Sequence, residues 1–200
     1  QTGGDFMLIL IIGLILFLGM HSVRIVAPEF RDSFIAQRGD NAWKGLYTLV
    51  SIVGFVLIIW GFSMARYTGP ILYTPPVWMV HINLLLMLFS MILLAVYGMP
   101  AGRLKAAVKH PMLLAVKIWA LGHLLANGDL ASVLLFGTFL AWAIADRISV
   151  KRRAAATGAS EIETGPVRND IAAVVVGTVV YLLFLWKLHA WLFGVAPVAL

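Results

Sequence analysis

The chain has 200 residues, of which 62% are hydrophobic and 12% charged, with a formal net charge of +6 and no cysteine. A soluble domain is nearer half apolar and a quarter charged, so this is an integral membrane protein of a size for one helical domain. Without cysteine there is no disulfide, no thiolate metal ligand and no cysteine nucleophile.

Residues 1–6, Gln-Thr-Gly-Gly-Asp-Phe, read as a leftover of cloning or an extracytoplasmic tail ahead of Met7, and 7–200 as a single transmembrane domain. Six apolar segments follow in order: 6–26, 44–66, 77–97, 112–126, 129–150 and 171–194. A spanning helix needs about 20 residues, which five of the six reach and the fourth does not. No segment alternates in the manner of a strand. The fold class is therefore all-α, a six-helix multi-pass transmembrane bundle.

The connections carry the clearest pattern. Twelve of the fifteen basic residues fall in the first, third and fifth loops: Arg24, Arg31, Arg38 and Lys44; Arg103, Lys105 and Lys109; Arg147, Lys151, Arg152, Arg153 and Arg168. The positive-inside rule places those loops in the cytoplasm and both termini outside, in a bacterial inner membrane. The positive charge is thus a topology signal, and no nucleic-acid partner is expected. The stretch 154–166, rich in Ala, Gly, Ser and Thr, predicts a mobile cytoplasmic linker. Trp78 and Trp191 fall at the interfaces, where aromatic anchors are favoured.

The stretch 110–129 concentrates the polar chemistry of the chain. It is apolar enough to enter a membrane, yet holds His110, Lys117, His123, Asn127 and Asp129. Such groups are costly in hydrocarbon and usually face a protein interior or a cofactor. On a helix, Trp119, His123 and Asn127 share one stripe, and His110 and Lys117 another. Pro111 suits a first helical turn, Gly128 a left-handed C-terminal cap, and Asp129 an N-cap for the next helix. The remaining histidines are His21, late in the first segment, His81 and His189. A membrane histidine serves either as an interhelical hydrogen-bonding group or as a metal ligand. Two on different helices can hold a b-type haem, with Gly54 and its neighbours Ser51 and Gly61, and Gly13 and Gly19, either accommodating the macrocycle or packing helices closely. Arg24, three residues after His21, either pairs with a propionate or snorkels, and Lys117 presents the same choice. No paired carboxylates, Ser–His–Asp set, phosphate loop or HExxH motif is present, and acidic residues within the helices are nearly absent.

The His21-Ser22 pair, with the later His110-Pro111…Trp119-Ala-Leu-Gly-His123…Asn127-Gly128 stretch, resembles the NnrU family, over most of the chain from the first helix to Asp146-Arg147. Its superfamily includes the plant 15-cis-zeta-carotene isomerases, integral membrane b-type haem enzymes. The resemblance implies that His21 and His123 are axial ligands of haem b. The isomerases carry a cysteine three residues before the second ligand, where this chain has Ala120. Depth gives His81 as the alternative ligand: in the topology above, His21 and His123 differ by roughly 10 Å at 1.5 Å per residue, and His81 lies closer to the level of His123.

The resemblance implies a redox-active membrane haem protein that supports denitrification, acting in nitrite and nitric oxide metabolism on a small gaseous ligand. The alternatives are a haem-dependent cis–trans isomerase of an apolar carotenoid-like polyene, and a non-enzymatic electron-transfer or assembly partner of a reductase. Whether the chain is an enzyme stays open among them, as does a reading without haem, in which the histidines only bond between helices.

Overall fold

The computed structural model describes residues 3–158 and 162–198. Gln1 and Thr2 of the N-terminal segment, residues 159–161 of the expected linker, and residues 199–200 lie outside the described residues. Everything described is helical apart from short connections. The order is α1 (Gly3–Val26), α2 (Pro28–Arg38), α3 (Asp40–Thr68), α4 (Val77–Gly98), α5 (Arg103–Val108), α6 (Pro111–Ala126), α7 (Leu130–Thr157) and α8 (Val167–Leu183), then a π-helical turn Phe184–Leu188 and α9 (His189–Phe193).

Five helices are long and apolar enough to cross a membrane: Gly4–Val26, Asp40–Thr68, Val77–Gly98, Leu130–Thr157 and Val167–Phe193. The chain is a multi-pass membrane protein. The expected fourth span is the shorter apolar helix α6, whose 16 residues extend ~24 Å. The helices α3 and α8 each begin four residues earlier than the sequence reading, at Asp40 and Val167, and the third loop contains the short α5. The first loop contains α2, whose start is set by Pro28 at its first position and whose end is set by Gly39 at φ +87°, a left-handed value that favours glycine. The fifth span runs on to Thr157, so the first four residues of the expected linker, 154–157, are helical.

The chain divides into two compact units, residues 1–74 with 127–149, and residues 75–126 with 150–200. In the first unit α1 and α3 form an antiparallel pair whose seam is made of glycines. A Cβ on Gly13 would lie 2.7 Å from the Ile58 nitrogen, and one on Gly54 2.7 Å from the Phe17 nitrogen. One on Gly61 would collide with the Leu10 backbone. The backbones approach so closely only because these residues lack side chains, the usual route to tight helix association in lipid. Leu10 and Ala65 are fully buried along this seam. The outward face of the middle of α3 is apolar: Leu49, Ile52, Phe55, Val56 and Ile59 are all exposed, as a lipid-facing surface requires.

In the same unit, the chain after α3 is tied to the turn before α7. Leu72 N–H donates to Gly128 O at 2.8 Å, Leu130 N–H to Pro70 O at 2.9 Å, and Tyr73 Oη–H to Asn127 O at 2.8 Å. Burial, and then the Asp129 carboxylate, push the Tyr73 phenol above its usual range, which keeps it a donor. Asp129 caps α7 as expected: Ser132 N–H reaches Oδ1 at 2.8 Å and Ser132 Oγ–H reaches Oδ2 at 2.6 Å. Gly128 does not play the expected part. Its φ is not left-handed; a Cβ there would collide with Tyr73 O, so close backbone approach demands the glycine.

In the second unit α6 and α8 each run antiparallel to α4. Buried Ser90 donates to Ala115 O at 3.0 Å across the first pair, and Gly177 lies against the Ile92 backbone across the second. At the basic end, Asp170 at the start of α8 caps α5, accepting Arg103 N–H at 2.9 Å and Leu104 N–H at 3.0 Å. Asn169 Nδ2–H donates to Ala101 O at 2.7 Å. Lys105 closes the C-terminus of α4 by donating to Tyr97 O and Met99 O at 2.7 and 2.8 Å.

Candidate functional site

His21 lies one turn before the end of α1 and is half-buried. Its Nδ1 is 2.7 Å from Phe17 O, the carbonyl four residues earlier. A carbonyl can only accept, so the ring proton sits on Nδ1, and Nε2 is the nitrogen that carries the lone pair. Three aromatic rings frame the imidazole: Phe17 stacks on it at 4.2 Å, Tyr47 of α3 lies at 5.0 Å, and Trp142 of α7 stands edge-on at 6.0 Å. Phe139, one turn before Trp142, lies 5.9 Å from Phe17. The frame thus draws on three helices of one unit. Trp142 Nε1 is buried and has no hydrogen-bond partner.

His123 repeats the arrangement in the other unit. Its Nδ1 is 2.9 Å from Trp119 O, again four residues back along the helix, and the Trp119 ring lies 5.5 Å away. Nε2 is again the lone-pair nitrogen. The stripe expected from the sequence is real for Trp119 and His123; Asn127 lies just past the helix end, where its carbonyl serves Tyr73. Beside His123, the neighbouring Gly122 meets the Asn83 side chain of α4, whose Oδ1 is buried without a hydrogen-bond partner. Ala120, at the position of the isomerases' cysteine, is fully buried.

The other candidates fall elsewhere. His81 is exposed one turn into α4. His189 donates from Nδ1 to Val195 O at 2.7 Å and stacks edge-on to Phe193 at the far end of the chain. His110 O accepts Leu114 N–H at 3.2 Å and so opens α6 ahead of Pro111, which follows a strained Lys109 at φ +62°. Arg24 is exposed one turn after His21. Lys117 is half-buried in α6; among the described residues neither cation forms an ion pair. Gly54 works in the α1–α3 seam, against Phe17, the residue whose carbonyl holds His21. Trp78 and Trp191 are exposed, as interfacial anchors are.

A metal held by side chains alone needs several donors together. Among the described residues no three His, Cys, Asp or Glu side chains are so grouped. A macrocycle that brings four nitrogens of its own needs only axial donors from the protein, and oriented single imidazoles in aromatic surroundings fit that demand. The buried, unmatched N–H of Trp142 fits a ligand that carries an acceptor.

The family model for NnrU protein matches residues 9–197. The chain belongs to the NnrU family. Among curated proteins and among solved structures, none matches this NnrU chain. The sequence singles out His21, His123 and Trp119; it does not point to Phe17, Tyr47 and Trp142 around His21, or to Asn83 near His123. Phe17 was within reach, since it lies four residues before His21 on the same helix. The others come from different helices, and no local spacing announces them.

Proposed function

We propose that this NnrU protein is a redox-active b-type haem protein of the bacterial inner membrane, with His21 and His123 as axial ligands and a part in nitrite and nitric oxide metabolism. The observation that carries this reading is the shared preparation of the two imidazoles. Each donates Nδ1–H to the carbonyl one turn back, at 2.7 Å from His21 and 2.9 Å from His123, which turns the lone pair of Nε2 outward from its own helix. Such a second bond fixes tautomer and ring orientation and raises the basicity of the ligating nitrogen. His81, the alternative ligand, is exposed one turn into α4 and lacks such an orienting bond among the described residues. Haem, when bound, supplies one-electron redox chemistry and, where an axial imidazole withdraws, a position for a small gas such as nitric oxide. The chain's own part is to hold the two rings, exclude water with apolar helices, and neutralise carboxylates with Arg24 and Lys117.

The test is an absorption spectrum of the purified protein from haem-sufficient cells, oxidised and reduced, with and without nitric oxide. A Soret band that shifts on adding nitric oxide to the reduced protein is the expected result. A haem that is present but inert to nitric oxide and carbon monoxide points to closed electron transfer, and no Soret band removes the haem reading. Lys117→Met should lower haem retention or shift the midpoint potential, because a buried carboxylate would lose its counter-charge. Unchanged retention and potential would discard that role for Lys117.

The proposed orientation, set by the basic loops, has both termini outside. Two observations fit the even number of crossings it needs: residues 70–73 bond to 128–130 within one unit, and 101–104 bond to 169–170 within the other. Alternate connections thus meet one another, as a path that crosses six times requires. Reporter fusions at residues 35, 106 and 158 should all report cytoplasm; a periplasmic signal at any of them breaks this topology.

A further inference from the structure

We propose that Trp142 is a cofactor-binding residue, its indole N–H donating to a propionate carboxylate of the haem held at His21. The proposal rests on the haem reading above and adds a residue that neither the motifs nor the histidines identify.

The indole nitrogen is a donor and nothing else. Trp142 Nε1 is buried without a partner, although native proteins rarely leave such a group unmatched. His21 Nδ1 is itself a donor, spent on Phe17 O; His21 Nε2 carries a lone pair but takes no bond from Trp142, and Phe17 brings only hydrocarbon. An acceptor carried by a group bound at His21 Nε2 would match the indole N–H. Haem carries strong acceptors at one edge only, its two propionates.

The placement suits that edge. Trp142 stands edge-on to His21 at 6.0 Å. It lies one turn before Asp146-Arg147, as His21 lies just before Arg24. Both residues thus lie about one turn before a basic residue, His21 near the end of α1 and Trp142 at the middle of α7. A carboxylate is favoured beside those cations, and a charge-assisted bond from the buried indole nitrogen would fix its direction.

The experiment uses purified protein in lipid nanodiscs, loaded either with haem or with haem dimethyl ester, whose carboxylates are capped. The readout is the rate of haem transfer to excess apomyoglobin, with thermal unfolding of each variant as a check on folding. With haem, W142F should speed release about tenfold, the scale of one hydrogen bond to a charged group. W142H, which keeps a ring N–H, should recover part of the loss. With the dimethyl ester, wild type and W142F should release at the same rate. Equal release of haem from wild type and W142F, at equal folding, overturns the role of Trp142 and leaves the haem reading intact. The same acceleration with the ester also overturns it, because the indole then acts by shape. Wild-type protein that takes up neither porphyrin overturns both.

Discussion

Under the proposed ligation, His21→Ala and His123→Ala should each abolish the low-spin ferric spectrum of the haem-loaded protein, whereas His81→Ala, His110→Ala and His189→Ala should keep it. Two imidazoles make a strong axial field, and b-type haem has no covalent tether, so losing one ligand leaves a high-spin iron or an empty protein. The three controls differ in what they test. His189 has the same kind of Nδ1 bond, to Val195 O, but lies beside the π-helical turn near the chain's end. His110 contributes its carbonyl to the start of α6, which alanine preserves, so its substitution tests the side chain alone. His81 is the competing ligand by depth. The comparison is made in folded protein at equal haem occupancy, and added imidazole should partly restore the spectrum of either ligand variant by entering the vacated space. Loss of the low-spin signature in His81→Ala with retention in His21→Ala would replace His21 by His81.

Gly54→Ala should destabilise the protein by about 2–3 kcal/mol, at the upper end of ordinary overpacking costs. The added Cβ meets Phe17 N at 2.7 Å, Phe17 Cα at 3.0 Å and Gly13 O at 3.1 Å, all backbone atoms that cannot rotate away. Gly61→Ala should behave similarly, since its Cβ meets the Leu10 backbone. Gly19 is the contrast. It lies on α1 with nothing within 4 Å of a Cβ, so Gly19→Ala should be neutral or gain up to ~1 kcal/mol from helix propensity. Unfolding in detergent, followed by loss of helix, measures all three. Gly54→Ala has a second consequence, because Phe17 supplies the carbonyl that orients His21. Haem should be released faster from Gly54→Ala than from Gly61→Ala at matched stability. If the three glycine variants unfold alike, the seam does not hold α1 to α3 as described.

The spans were legible in the sequence because lipid imposes a pattern that needs no partner to be read: long apolar runs, bounded by basic loops. The short α2 was not, since its eleven residues are too polar to cross a membrane. Its end signals were nevertheless present in Pro28 and Gly39. Gly128 shows a different limit. A glycine after a helix suggests a left-handed cap, but whether it serves that or a close backbone approach depends on Tyr73, 55 positions away in sequence. The site divides in the same way. His21 and His123 take their Nδ1 bonds from their own helices, so a helix assignment is enough to foresee them. Tyr47 and Trp142 reach His21 from α3 and α7, and only the tertiary arrangement brings them there.

The central claim is that Nε2 of two histidines holds one haem iron. It is tested most directly by pulsed electron paramagnetic resonance of the ferric protein with histidine labelled at Nε2 by ¹⁵N. The account predicts a low-spin signal coupled to two labelled nitrogens in wild type, and to no more than one in His21→Ala or His123→Ala. A wild-type signal coupled to one labelled nitrogen or none, or one unchanged by both substitutions, contradicts it.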